Sequence, residues 1–225
     1  MDEFIEELTH PKPVHEVIAR ALREKIVLHQ IPPGAPLREK ELAEQHGVSR
    51  RLLRDALKIL ATEGLVEFQR RRGALVTQLE RQRLRDTLET IGTLERLAGE
   101  LACANASQDE ISTLRHYHDL MARHYRNRDA ASFFRYSQHF HQGIVDAAGN
   151  EVLSKIYRLL NGQAARARYL AHMTAALWDQ VMEEQEEIML ALEARAADRL
   201  AELLEDSLLH RAQRVLDLIP PGREQ

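Results

Sequence analysis

The stretch GVSRRLLRDALKILATEGLV, residues 47–66, decides the fold of the first part of the chain. Gly47 can end one helix, and Ser49 is a good N-cap for the next one, which we predict over residues 50–63. A shorter helical pattern over residues 39–45 comes just before it. Two short helices joined by a tight turn predict a helix-turn-helix. The apolar stripe of the second helix consists of Leu53, Ala56, Leu57 and Leu60.

The segments around this motif complete a small domain. Apolar residues at helical spacing predict a helix over residues 14–30, and IPPGAP, residues 31–36, ends it because proline cannot continue a helix. The segments LVEFQ (65–69) and ALVTQ (74–78) have strand character and flank the basic turn RRRG. Three helices followed by a β-hairpin predict a winged helix-turn-helix domain over residues 1–78.

From residue 79 onward the sequence contains only helical patterns. Glycine and proline are scarce there, and no segment has the alternation of a strand. Six helices predict an all-α helical bundle over residues 79–225, so the fold class of the whole chain is mainly α. The predicted helices span residues 83–106, 109–126, 130–148, 151–170, 175–194 and 197–218.

Charge is unevenly distributed along the chain, whose formal net charge is -4. Residues 1–80 carry 13 basic and 13 acidic side chains, yet residues 49–73 alone carry seven basic and three acidic ones. This local positive excess suits a nucleic-acid partner. The chain has one cysteine, no signal-peptide pattern and no apolar run of about 20 residues, so we expect a cytoplasmic protein with no membrane partner.

The basic residues of the second helix are placed as DNA-reading side chains. Arg50, Arg51 and Arg54 lie in its first turn and a half, away from the apolar stripe. The N-terminal end of such a helix can enter the major groove of double-stranded DNA, where arginine binds guanine, and Ser49 with the free backbone amides can hold a phosphate. The turn at residues 70–73 can reach phosphates or the minor groove. The plainer alternative is a charged, solvated helix face.

These segments resemble a known family. The run GAPLREKELAEQHGVSRRLLRDALKILATEGLVEFQRRRGALV, residues 34–76, resembles the DNA-binding domain of GntR-type bacterial transcription regulators. The second half resembles the all-helical ligand-sensing domain, called FCD, of the FadR-like branch. That likeness lies in LERLAGELA (94–102), FHQGIVDAAGNEVL (140–153) and the spacing of EEIMLALEAR (186–195).

The resemblance implies a homodimer that binds a palindromic DNA operator. A repressor that is released by its inducer is the family's commonest mode of action. Arg51 stands where the family has a small hydroxyl residue, so we expect an altered base preference. The DNA contacts that the resemblance implies fall on Lys40, Arg50, Arg54, Arg72 and Gly73.

The resemblance also points to a metal site. In many FCD domains one Asp and three His on facing helices bind a divalent metal, frequently zinc. Here His141 occupies one of these positions, and the Asp position four residues earlier is Ser137. The other two positions fall on Gln185 and Ser207, with His210 one turn later. Serine and glutamine are poor ligands for zinc or nickel, so we expect no cofactor; a metal, if present, would have His141 and His210 as ligands.

We expect the helical half to bind a small organic effector. Arg166 and Arg168 are candidate partners for a carboxylate, since arginine holds carboxylates with two hydrogen bonds. The more ordinary interpretation of both arginines is an exposed helix surface. A small acid and a more apolar ligand both fit the sequence. The polar residues expected around the effector are Ser137, His141, Gln185, Ser207 and His210.

Two other classes of function stay open. A metal-dependent helical-bundle enzyme is one, but the sequence has no glycine-rich phosphate loop or nucleophile elbow, and Cys103 lies in an apolar helical stretch. We therefore expect no catalysis. The other is a DNA-independent interaction module that uses the helix-turn-helix only for packing. We interpret His116, His118 and His124 as surface residues.

Overall fold

The computed structural model of the chain describes residues 13–172 and 175–218, without the side chains of residues 170–178, 210–215 and 218. The chain forms two compact units, Met1–Gln78 and Leu79–Gln225. Each unit has its own hydrophobic core. None of the described helices combines the length and the apolar character that crossing a membrane demands.

The first unit contains three helices and a small antiparallel sheet. Its elements are α1 (Val14–Val27), β1 (Pro36–Leu37), α2 (Glu39–Gln45), α3 (Arg50–Thr62), β2 (Val66–Gln69) and β3 (Gly73–Val76). Leu22 of α1 and Leu57 of α3 are fully buried in a shared core. Arg23 of α1 also donates two hydrogen bonds, of 2.6 and 2.7 Å, to the carboxylate of Glu63 just after α3. Apolar packing and this bidentate ion pair fix α3 against α1.

The sheet has the strand order β1-β3-β2. Val66 of β2 pairs with Val76 of β3, and Pro36 of β1 pairs with Leu75 of β3. β1 was not predicted, since residues 31–36 were expected only to end a helix. Proline cannot donate to a strand ladder and is confined to edge strands, which is where β1 lies. The predicted winged helix-turn-helix is confirmed, with one additional short strand.

α1 is shorter than predicted and ends at Val27 rather than at residue 30. His29 has a φ of 54°, a left-handed conformation that a right-handed helix does not contain. The backbone N–H of Gln30 then donates to the carbonyl oxygen of Lys25, 2.9 Å away. The ends of the other predicted helices differ from the observed ends by no more than two residues.

The described part of the second unit is a helical bundle. Its helices are α4 (Arg81–Asn105), α5 (Gln108–Arg126), α6 (Ala130–Ala147), α7 (Glu151–His172), α8 (Ala175–Glu193) and α9 (Ala197–Leu218). α4 and α9 approach closely at Gly99, where an added Cβ would lie 2.9 Å from Cδ1 of Leu204 and 3.2 Å from the backbone nitrogen of Ala201. Glycine at this position therefore allows the two helices to touch.

Two apolar clusters fill the bundle. One, here called the α6–α8 core, includes Phe140, Val181, Ile188 and Leu204. The other, the α4–α7 core, includes Ile91, Tyr157, Ala164 and Leu208. Several polar side chains of this unit are also buried.

Candidate nucleic-acid interface and effector site

The N-terminal end of α3 carries exposed basic side chains. The hydroxyl of Ser49 caps the helix by accepting a hydrogen bond from the backbone N–H of Leu52, 3.3 Å away. Leu53 and Leu57 are fully buried on the opposite side, which fixes the direction in which the polar side faces. The exposed arginines at this end are Arg50, Arg51 and Arg54.

An open groove of about 510 Å³ lies along this side of α3. Two cations of the groove form ion pairs with carboxylates in the same groove. Nε of Arg54 lies 4.0 Å from Oε1 of Glu39, and Nζ of Lys58 lies 2.8 Å from Oδ1 of Asp55, whose pKa this hydrogen bond lowers. Within the described chain, Arg50 and Arg51 form no ion pair. The groove is lined by Glu39, Arg50, Arg51, Arg54, Asp55 and Lys58.

The wing between β2 and β3 presents a second basic surface. Arg72 and Gly73 are exposed at its tip, where the backbone N–H of Arg72 donates to the carbonyl of Gln69, 3.2 Å away. Gly73 has a φ of 73°, and an added Cβ would meet no heavy atom within 4 Å. Glycine is therefore needed here for the left-handed backbone and not to make room for a neighbour inside the protein.

Lys40 is exposed in the first turn of α2. Every residue that the sequence predicts to contact DNA is thus at the surface, as a DNA contact requires. The contacts themselves stay a prediction. The guanidinium and ammonium groups can bind DNA phosphates and the edges of guanine bases, and the free N–H groups at the start of α3 can bind a phosphate.

In the second unit, a buried carboxylate organises a polar cluster that we call the Glu95 cluster. Oε1 of Glu95 lies 2.5 Å from Nη2 of Arg168 and accepts a hydrogen bond of 2.7 Å from the hydroxyl of Tyr157. Nδ1 of His141 lies 3.7 Å from the same oxygen. The members Glu95, His141, Tyr157 and Arg168 come from α4, α6 and α7, and all are buried.

The protonation states of Tyr157 and Arg168 follow from burial and charge. Burial raises the pKa of Tyr157, and the adjacent charge of Glu95 raises it further, so the phenol keeps its proton. Burial alone would lower the pKa of Arg168, but the charge of Glu95 and the hydrogen bonds with Tyr157 and Glu95 outweigh it and hold that pKa above its usual value. Glu95 and Arg168 therefore form a buried ion pair within the cluster.

The predicted effector residues are mostly buried, as a pocket requires. Ser137, His141, Gln185 and Ser207 are all less than 5% exposed, and the hydroxyl of Ser207 donates to Oε2 of Glu184, 3.1 Å away. The side chain of His210 lies outside the described residues.

Arg166 is buried, but it does not lie beside Arg168. The two are two positions apart on α7, so their side chains leave the helix about 200° apart. Burial lowers the pKa of Arg166 to about 10, whereas Arg168 has Glu95 beside it. Glu95 binds Arg168, and the membership of Arg166 in the effector pocket stays a prediction.

The metal centre of FCD domains does not fit these residues. Among the described side chains, no group of three His, Cys, Asp or Glu residues is placed to share an ion. The predicted ligand positions offer one imidazole, two hydroxyls and one amide, which are weak donors for zinc apart from the imidazole. Glu95, the carboxylate beside His141, is already neutralised by Arg168. A divalent ion here would face a fixed positive charge within a few ångströms.

Three residues that we expected at the surface are buried: Arg166, Arg168 and His118. Arg166 and Arg168 do not lie on an exposed helix surface, since they are 1% and 2% exposed. His118 is not a surface residue either, because it is 3% exposed, and its Nε2 lies 3.2 Å from Oε2 of Glu186. Glu95 and Tyr157 were not singled out. A signal for Glu95 existed, since it occupies a core position of the helical pattern together with Ile91 and Ala98.

Comparison with known proteins identifies both units. Residues 15–76 match the bacterial regulatory proteins of the gntR family, and residues 86–210 match the FCD domain. The chain is 27% identical over 197 residues to the HTH-type transcriptional repressor RspR of Escherichia coli K12, covering 85% of this chain and 84% of that protein. It is 30% identical over 192 residues to the Nta operon transcriptional regulator of Aminobacter aminovorans, covering 79% of this chain and 90% of that one.

The fold is similar to that of a solved structure. The structure of E. coli McbR/YncC superimposes with a TM-score of 0.82 over 92% of this chain and 98% of that one, at 18% identity. The relatives are regulators and not enzymes, so the alternative of a metal-dependent enzyme is wrong. A winged helix with an exposed basic helix end, followed by a helical FCD unit, matches these regulators over nearly the whole chain, and the protein therefore belongs to the FCD-containing branch of the GntR family of transcriptional regulators.

Proposed function

We propose that the protein is a homodimeric repressor that binds a palindromic operator and leaves it when a small organic effector binds the helical unit. In each protomer the N-terminal end of α3 enters the major groove of the DNA, and the wing contacts the DNA phosphates or the minor groove. The residues that contact DNA in this proposal are Lys40, Ser49, Arg50, Arg51, Arg54, Arg72 and Gly73.

One observation carries the DNA-binding proposal. Arg50 and Arg51 project from the capped end of a helix whose other face is locked in the core, and neither forms an ion pair within the described chain. Unpaired guanidinium groups on a rigid helix end can bind guanine with two hydrogen bonds at little cost in conformational entropy. Arg54 is partly oriented by Glu39, 4.0 Å away, and so reaches the DNA in a restricted direction.

The test is selection of bound fragments from random DNA with the purified full chain, followed by titration of the enriched fragment at several salt concentrations. A palindromic consensus bound by two chains, with affinity that falls steeply as salt rises, is the expected result. Absence of any enrichment over a protein that carries both Arg50→Ala and Arg54→Ala would overturn the assignment of α3.

Single variants separate the roles of the arginines. Arg50→Ala and Arg51→Ala should each weaken binding to the consensus about 5- to 150-fold, the equivalent of about 1–3 kcal/mol for a bidentate base contact. Lys155→Ala is the matched control, since Lys155 is an exposed cation on α7. It should leave the affinity unchanged within error. Equal losses for all three variants would show that only net charge matters.

The effector part of the proposal rests on the buried polar residues of the helical unit. α4 carries Glu95 and begins at Arg81, three residues after the first unit ends at Gln78. A ligand that changes the contacts of Glu95 therefore acts on the helix that is joined directly to the DNA-binding unit. A displacement of the recognition helices from their half-site spacing would weaken operator binding.

A further inference from the structure

Among the described residues, the buried amide of Gln185 has no hydrogen-bonding partner. Gln185 is 0% exposed, and neither its Nε2 nor its Oε1 has a hydrogen bond from any described residue. A buried polar group without a partner costs free energy, so its presence in a core needs an explanation such as a bound water or a ligand. The donor Nε2 and the acceptor Oε1 of Gln185 therefore lie side by side in the interior and can bind a ligand.

Gln185 is one of three buried polar residues that lie within one turn of members of the α6–α8 core. Gln185 lies one turn from both Val181 and Ile188 on α8, two members of the α6–α8 core. Ser137 lies three residues before Phe140 and Ser207 three residues after Leu204, and these apolar neighbours belong to the same core. Three helices therefore bring buried polar side chains to one apolar core, as expected of a small-molecule site.

The chemistry of this amide indicates what it binds. Oε1 of Gln185 accepts hydrogen bonds and Nε2 donates them. A carboxylate has only acceptors, so it can pair with Nε2 but leaves Oε1 without a donor. An uncharged ligand with a donor beside an acceptor pairs with both atoms.

We propose that the effector is an uncharged molecule that carries a hydrogen-bond donor beside an acceptor, such as a carboxamide or a lactam, and that it pairs with both atoms of the Gln185 amide without a metal ion. This inference rests on the proposed function, because it names the ligand class of that effector site. It selects the uncharged option over a small acid.

The first test measures the stability of the protein without ligand. Gln185→Leu replaces an amide that lacks partners by an apolar group of similar shape, so the melting temperature should rise by about 2–4 °C. Gln180→Leu is the matched control, because Gln180 lies on the same helix but is exposed and bonds Glu184 at 3.1 Å. It should not raise the melting temperature. A fall of several degrees for Gln185→Leu would mean that its amide is satisfied within the folded protein, which overturns the proposal.

The second test compares matched probes. Acetamide and benzamide, and separately acetate and benzoate at equal ionic strength, are added to the wild type and to Gln185→Leu while the melting temperature is recorded. We expect an increase with the amides in the wild type only, and none with the acids. A larger response to the acids, or equal responses of wild type and Gln185→Leu to the amides, overturns the proposal.

The third test concerns the metal. Protein purified without chelator should contain less than about 0.1 equivalent of zinc or nickel, and a chelator should not change its melting temperature. Stoichiometric metal that is lost in His141→Ala would overturn the metal-free site. None of these three measurements uses DNA. Failure of operator binding in the selection experiment would therefore refute the proposed function, whereas failure here would refute only the ligand class.

Discussion

The buried ion pair of Glu95 and Arg168 makes a quantitative prediction about stability. The two side chains are 1% and 3% exposed, so water does not screen their charges. Removal of one partner leaves the other charge buried without its counter-ion, which costs about 3–5 kcal/mol. We expect Arg168→Met to lower the free energy of unfolding of the helical unit by this amount. Glu95→Gln should have a similar effect, because it removes the charge and keeps the shape.

The assay is denaturation of the full chain in urea at neutral pH, followed by circular dichroism, for the two single variants and the double variant. The double variant should be more stable than the sum of the single effects by about 1–3 kcal/mol, since it leaves no lone charge. Lys155→Met, which breaks the exposed pair with Glu151, is the control and should change nothing measurable. A loss below about 1 kcal/mol for Arg168→Met, or strict additivity, would refute the reasoning.

Other perturbations test the packing and the titration of single residues. Gly99→Ala should destabilise the bundle by about 1–3 kcal/mol, because its Cβ would crowd the α9 backbone. Gly92→Ala should instead stabilise the bundle by up to about 1 kcal/mol, because alanine favours helix and its Cβ would lie 3.6 Å from the nearest atom, Cδ2 of Leu208. Thermal unfolding distinguishes the two variants. Ser49→Ala should cost the first unit about 1 kcal/mol in chemical denaturation, since it removes the N-cap of α3. Burial lowers the pKa of His118 from 6.5, so the folded state favours the neutral imidazole, and this stability is lost as the pH falls below about 6.5. His118→Asn should therefore reduce the drop in melting temperature between about pH 7.5 and pH 5.5, and an unchanged drop would count against burial as the cause.

The fold was predictable from sequence where its signals are local. Ser49 and the glycines at 47 and 64 set the limits of α3 and its neighbours through capping and positive φ, so these limits can be found by inspecting a few adjacent residues. β1 was not predicted because its pairing with β3 joins residues almost 40 positions apart. Its proline also argues against a strand. Such a pairing is visible only once the sheet has formed.

The candidate effector site was predictable only in part, because its residues come from helices that lie far apart in the sequence. Ser137 and His141 were placed by the resemblance to FCD domains, in which two metal-binding positions lie four residues apart on one helix. The partner of Glu95 lies 73 positions away on α7, and no local pattern joins the two residues. The burial of Arg168 likewise depends on which helices cover α7, so its own neighbours in sequence gave the wrong expectation of an exposed surface.

The Glu95 and Arg168 pair also constrains how this protein can evolve. A domain is stable by only about 5–15 kcal/mol, so a single substitution at either position would consume a large share of that margin. Mutational paths that change both residues must therefore pass through a poorly folded intermediate or acquire a compensating change first. We expect the two positions to covary among descendants of this sequence, with glutamate and arginine retained or replaced together, although they lie 73 residues apart.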